Sequence, residues 1–95
     1  MLTTLTKLTD VQDFAEKNYK LIGEGSTRFV YALSKTEVLK VAINTKAIKC
    51  NKAEVCFYND NPDFRPVLAA VLDWAPNFTW LTMERGFKHI YKKAG

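Results

Sequence analysis

Residues 21–42, LIGEGSTRFVYALSKTEVLKVA, constrain the fold of this 95-residue chain more than any other stretch. Phe29 and Tyr31 alternate with Val30 and Ala32, the period of a strand whose side chains face opposite ways in turn. Gly23 and Gly25 punctuate the bend before that strand, and Ser34-Lys35-Thr36-Glu37 forms a polar turn after it. Residues 38–43 are rich in β-branched side chains and of strand length. Val38, Lys40 and Ala42 share one face of that third strand, and Leu39, Val41 and Ile43 share the other. Strands over 20–23, 28–33 and 38–43 with short connections predict an antiparallel meander. Lys40 is the lone charge in its third strand.

The flanking segments supply helices and a second strand pair. Thr9-Asp10-Val11-Gln12 has the form of a capping box, a Thr with a Gln three residues on, so a helix is expected to start there. Val11, Phe14, Ala15 and Tyr19 then form one apolar stripe that packs on the sheet. A second helix is expected over 46–59. At 100° per residue, Ala47, Cys50, Phe57 and Tyr58 fall within about 60° of Glu54. A carboxylate amid an apolar sector needs a partner or must take up a proton. Lys40 is expected to be that partner, in an ion pair tying strand to helix; the alternative is a rotated helix with Glu54 reaching solvent. Asn59-Asp60-Asn61-Pro62-Asp63 ends the helix. Strands over 67–74 and 78–84, joined at Ala75-Pro76-Asn77, read as a hairpin. Gly86 breaks it, and Phe87, Ile90 and Tyr91 are spaced for a short last helix. The expected fold is α+β: a five-stranded antiparallel sheet with a packed helix between strands 3 and 4, plus an N-terminal helix and a short C-terminal helix. It forms a single domain, 1–95.

Composition bounds what such a domain does. Hydrophobic residues at 47% suffice for one core and exclude a disordered chain. No apolar run approaches the roughly 20 residues of a membrane span. The opening MLTTLTKLTD lacks a basic region followed by an apolar block, so no signal peptide is expected and the expected location is cytoplasmic. Cys50 and Cys56, six residues apart on one helix, point roughly 120° away from each other and read as free thiols of a reducing compartment. With one histidine, His89, no metal site is expected. The net charge of +4 is mild; Lys88, His89, Lys92 and Lys93 are its one local concentration.

Gly23-Glu24-Gly25-Ser26-Thr27-Arg28-Phe29-Val30 resembles the glycine-rich loop of protein kinases, with Arg28 in place of the third glycine. Val38-Leu39-Lys40 resembles the third-strand lysine motif, Glu54 matches its helix partner, and Met83-Glu84-Arg85-Gly86 resembles the hinge that leads to the C-lobe. From about Tyr19 to Gly86 the chain is therefore similar to the N-terminal lobe of the protein-kinase-like fold. In that family the catalytic base and the magnesium ligands lie in the C-lobe. Only nine residues follow Gly86, and none forms the corresponding motifs. Asp63-Phe64-Arg65 lacks the glycine of the magnesium-binding triplet and precedes the hinge strands. The resemblance thus implies a pseudokinase-like scaffold that is not an enzyme and has no catalytic residue, with Gly23, Gly25 and Arg28 as a vestigial phosphate loop and no cofactor.

Three roles follow as expectations. The first is a non-catalytic protein-interaction module that binds and modulates a partner protein or self-associates, offering Trp80, Met83, Arg85, Phe87 and Tyr91 as an apolar partner surface. Small phage-borne inhibitors of host defence, such as anti-CRISPR proteins, share its size and absence of catalytic groups. The second is a nucleic-acid contact through Lys88, Lys92 and Lys93 beside aromatic side chains. The third is the N-lobe half of a split nucleotide-binding kinase.

Overall fold

The computed structural model describes residues 2–63 and 69–85. A short 3-10 turn at Leu2–Thr4 precedes helix α1 (Leu8–Asn18), and strands β1 (Lys20–Glu24), β2 (Arg28–Ala32) and β3 (Glu37–Ala42) follow. Helix α2 (Ile48–Asp60) comes next, then β4 (Val71–Trp74) and β5 (Trp80–Glu84). The fold is α+β with one five-stranded antiparallel sheet in the order β1-β2-β3-β5-β4. The expected C-terminal helix lies outside the described residues. Among the described residues no helix is long and apolar enough to cross a membrane.

Local chemistry sets the element boundaries. In the β2–β3 turn the Ser34 hydroxyl accepts from the Thr36 and Glu37 amides at 3.2 and 3.1 Å, and the Leu33 amide donates to the Glu37 carbonyl at 3.0 Å. That is how serine closes a tight polar turn. At the start of α2, the Asn44 side chain accepts from the Ala47 amide at 2.9 Å, so a 3-10 turn at Thr45–Ala47 leads into the helix. Asparagine in this place satisfies an amide that the helix leaves without a partner. The capping box expected at Thr9 does not form. Thr9 lies inside α1, whose N-cap is Lys7 with no side-chain bond. Gln12 instead donates to the carbonyls of Ala42 and Ile43 at 2.9 and 2.8 Å, fastening α1 to the end of β3. β5 begins at Trp80, later than the expected residue 78, because Phe78 has φ 59 and belongs to the turn.

Both faces of the sheet are covered. On one, Val11 and Ala15 of α1 pack with Tyr31, Leu39, Val41 and Trp80. On the other, Val55 of α2 packs with Val38, Leu81 and Met83. Leu39 and Leu81 have no exposed surface, and burying each contributes about 1.5–3 kcal/mol. The central strands β3 and β5 therefore read as nearly continuous apolar runs, while edge strand β1 is open and exposed. Lys40 interrupts β3 on the α2 side, between Val30 of β2 and Leu81 of β5. That position directs its charge toward the helix.

Candidate functional site

α2 turns a different face to the sheet from the one its apolar residues predict. Its buried positions are Asn51 and Val55, whereas Phe57 is 52% exposed and Cys56 is exposed. Relative to Glu54, Asn51 and Val55 stand about 60° and 100° round the helix. The buried sector is thus rotated away from Glu54, which sits on its flank. From there Glu54 still reaches the sheet. Its side chain is 26% exposed, against 17% for Lys40 and 23% for Arg28, so all three sit in a half-dry environment.

Lys40 Nζ lies 3.2 Å from Glu54 Oε2 and 3.5 Å from Oε1. Arg28, at the first position of β2, donates to the same carboxylate through Nη1. The same guanidinium nitrogen lies 3.5 Å from Asn51 Oδ1, at the outer limit of a hydrogen bond. Asn51, fully buried, donates through Nδ2 to the Phe78 carbonyl at 2.9 Å. The chain thereby links β2, β3, α2 and the β4–β5 turn through one polar cluster. Nothing in the sequence pattern marks Asn51; a buried asparagine is evident only once both its partners are placed.

Electrostatics follows from two cations around one carboxylate. Burial lowers the Lys40 ammonium below its ordinary value, the Glu54 carboxylate opposes that, and the nearby Arg28 charge adds to it. For Glu54, burial alone would raise the carboxyl, but Lys40 and Arg28 outweigh burial and hold it below the usual range. Glu54 stays ionised at neutral pH, and both cations are committed to it.

The glycine loop is also closed from within. The Gly25 amide donates to the Arg28 carbonyl at 3.0 Å, and the Thr27 carbonyl accepts from the Ile43 amide at 2.9 Å. A phosphate cradle needs amides turned toward the ligand, and this one is turned into the hairpin. Neither glycine is in the left-handed region. A Cβ at Gly23 would meet Val30 at 3.6 Å, and one at Gly25 would meet the Arg28 carbonyl at 3.9 Å, both ordinary contacts. The tight turn read from these glycines is made by hairpin hydrogen bonds, without a backbone that only glycine can adopt.

The apolar partner surface expected near β5 needs correction. Trp80 and Met83 are 3% and 6% exposed, because β5 is a central strand with α1 on one face and α2 on the other. Arg85 is half-buried; its amide donates to the Thr36 carbonyl at 2.8 Å and its guanidinium approaches the Ser34 carbonyl at 3.5 Å. Phe87, Tyr91, Lys88, Lys92 and Lys93 lie outside the described residues. A cavity of about 230 Å³, not foreseen from the sequence, separates Leu2 and Leu5 from Trp74, Pro76 and Trp80 of the β4–β5 hairpin. Among the described residues no group of three or more His, Cys, Asp or Glu is arranged to hold a metal ion. A scan against protein-family models and a search of curated proteins found no match to this chain.

Proposed function

We propose that this chain is a non-catalytic protein-interaction module on a kinase N-lobe-like scaffold, with Arg28, Lys40 and Glu54 as its internal tie. The observation that carries the reading is the capture of Arg28, which stands in place of the third loop glycine, by the same Glu54 carboxylate that pairs with Lys40. Arg28, from the loop that the resemblance would assign to phosphate binding, is paired with Glu54, and the Gly25 amide donates to the Arg28 carbonyl. A scaffold in this state offers its surface rather than a reaction centre. By analogy, phage-borne inhibitors of host defence, anti-CRISPR proteins among them, are interaction proteins without a reaction centre. The partner we propose is therefore a bacterial protein of that machinery, met in the cytoplasm.

Two measurements test this. Titration calorimetry with ATP and magnesium is expected to show no heat; micromolar binding that disappears in Lys40→Ala would overturn the proposal. Co-purification from bacterial lysate is expected to recover one stoichiometric protein. A chain recovered alone counts against the interaction role.

A further inference from the structure

Two features that the polar cluster leaves unexplained meet at Trp80. One is the cavity of about 230 Å³ between the N-terminal turn and the β4–β5 hairpin, on the α1 side of the sheet. The other is the Trp80 indole. Its ring is 3% exposed, and Nε1 is the one buried side-chain polar atom among the described residues that no protein group accepts from. A buried donor without an acceptor is costly and calls for a reason. Here it belongs to a residue of the cavity wall. Leu2, Leu5 and Pro76 add apolar wall, and the exposed Asp73 sets a carboxylate at the rim, where it accepts from the Trp74 amide at 2.9 Å. The turn that closes the cavity is lightly fastened. None of its residues Leu2–Thr4 is fully buried, and it is held by Leu5 donating to the Leu2 carbonyl at 3.1 Å and Asn77 donating to the Thr6 carbonyl at 2.7 Å.

We propose that this cavity binds a small neutral aromatic molecule carrying a hydrogen-bond acceptor, which the Trp80 indole N–H engages. Volume sets the size class: an apolar cavity of ~150 Å³ already admits a benzene ring. The indole donor sets the polar requirement. Its N–H is closed to solvent, so the acceptor arrives with a shift of the Leu2–Thr4 turn or of the indole ring, and the cavity beside the ring leaves room for that shift. Asp73 sets the charge, because a carboxylate in the same wall repels an anionic acceptor. Water could also supply an acceptor, but only a ring covers Leu2, Leu5 and Pro76 and gains from burying them. The site lies on the face of the sheet opposite α2 and the Arg28–Lys40–Glu54 cluster. It therefore holds whether or not the chain engages another protein.

Phenol, toluene and benzoate test it, since they share a ring and differ in acceptor and charge. The readout is the indole N–H resonance of the isotope-labelled full chain. Two tryptophans give two such signals; Trp74→Phe assigns them, and Trp74, packed with the α2-side core, provides the reference. Phenol is expected to move the Trp80 signal downfield and to saturate in the millimolar range. Toluene should bind about fivefold more weakly and without the downfield move, because it offers no acceptor. Benzoate should bind at least about tenfold more weakly than phenol, and Asp73→Asn should restore it. Leu5→Phe, which fills the cavity, should abolish phenol binding, with the backbone amide spectrum showing that the fold is kept. A Trp80 signal that phenol leaves in place overturns the proposal. So does an equal response to phenol and benzoate, toluene binding as tightly as phenol, or a folded Leu5→Phe chain that binds phenol like its parent. The three molecules are compared on the parent chain, so the comparison decides even where a variant fails to fold. A Trp80 N–H that exchanges with water and ignores all three identifies a hydrated void, which also overturns it.

Discussion

At the scale of single residues, Glu54 is the side chain on which the polar cluster turns. Removing it leaves two half-buried cations facing each other. Exposed ion pairs contribute about 0–1 kcal/mol and breaking a buried one costs about 3–5 kcal/mol. With side chains 17–26% exposed, Glu54→Gln should cost about 1–3 kcal/mol in urea unfolding. Lys40→Met should cost less, since Arg28 still neutralises Glu54 and the desolvated ammonium is gone. The reverse ranking would show that Lys40 alone holds the carboxylate. The pH dependence has a definite sign. Glu54 is depressed in the folded state, so its contribution is complete above the unfolded value of 4.5 and is lost as pH falls through the folded value. The stability gap between the parent and Glu54→Gln should therefore narrow on acidification below that value. Lys40 is also lowered, so just below 10.5 the unfolded chain binds the extra proton and rising pH favours folding. Gly23 provides a separate check. With an ordinary Val30 contact and no left-handed backbone, Gly23→Ala should be neutral or raise stability by about 0.4–1 kcal/mol, mainly through the unfolded chain. A large loss in thermal unfolding would mean that the loop does need glycine.

At the scale of elements, two side chains outside the apolar pattern set how the helices lie. Gln12 fixes α1 to the end of β3 with two carbonyl contacts, and Asn51 fixes α2 to the β4–β5 turn. Asn51→Ala leaves the half-buried Phe78 carbonyl without its donor, which costs about 1–3 kcal/mol. Urea unfolding should report that loss, and Asn51→Asp should not repair it, because a carboxylate cannot donate to a carbonyl. The strands and the helix–sheet alternation were legible in the sequence because alternation and turn residues are local signals. The rotation of α2 was not. Cys50 and Phe57 lie on the face that apolarity alone would bury, yet the helix turns Asn51 and Val55 inward because Arg28 and Phe78 offer partners there. Thr9 and Gln12 misled for the same reason: a capping box would have the Gln12 side-chain oxygen accept from an amide at the helix start, whereas its Nε2 donates to the Ala42 and Ile43 carbonyls thirty residues away.

At the scale of the whole molecule, α1 decides whether β5 is surface or core. Val11 and Ala15 have no exposed surface and close the face that holds Leu39, Val41 and Trp80. A chain shortened to begin at Tyr19 should bind a hydrophobic dye and lose cooperative unfolding, while the full chain does neither. If the shortened chain unfolds as sharply as its parent, α1 is an appendage and not a layer. The same layering explains why Trp80 and Met83 cannot form the partner surface their apolarity suggests. Among the described residues the exposed large apolar side chains are Leu21 and Ile22 on β1, Leu72 on β4 and Phe57 on the outer face of α2.

By itself, the sequence determined the element types and their order, the α+β class, and the opposition of a lysine on β3 to a glutamate on α2. Each of these follows from periodicity, turn chemistry or the cost of a lone charge near a core, which act within a few residues or across one helix face. Tertiary structure alone decided the strand order, the rotation of α2, the entry of Arg28 and Asn51 into the Lys40–Glu54 cluster, and the burial of β5 on both faces. Those depend on which distant groups compete for the same carboxylate, carbonyl or apolar face, and that competition exists only once the layers have been brought together.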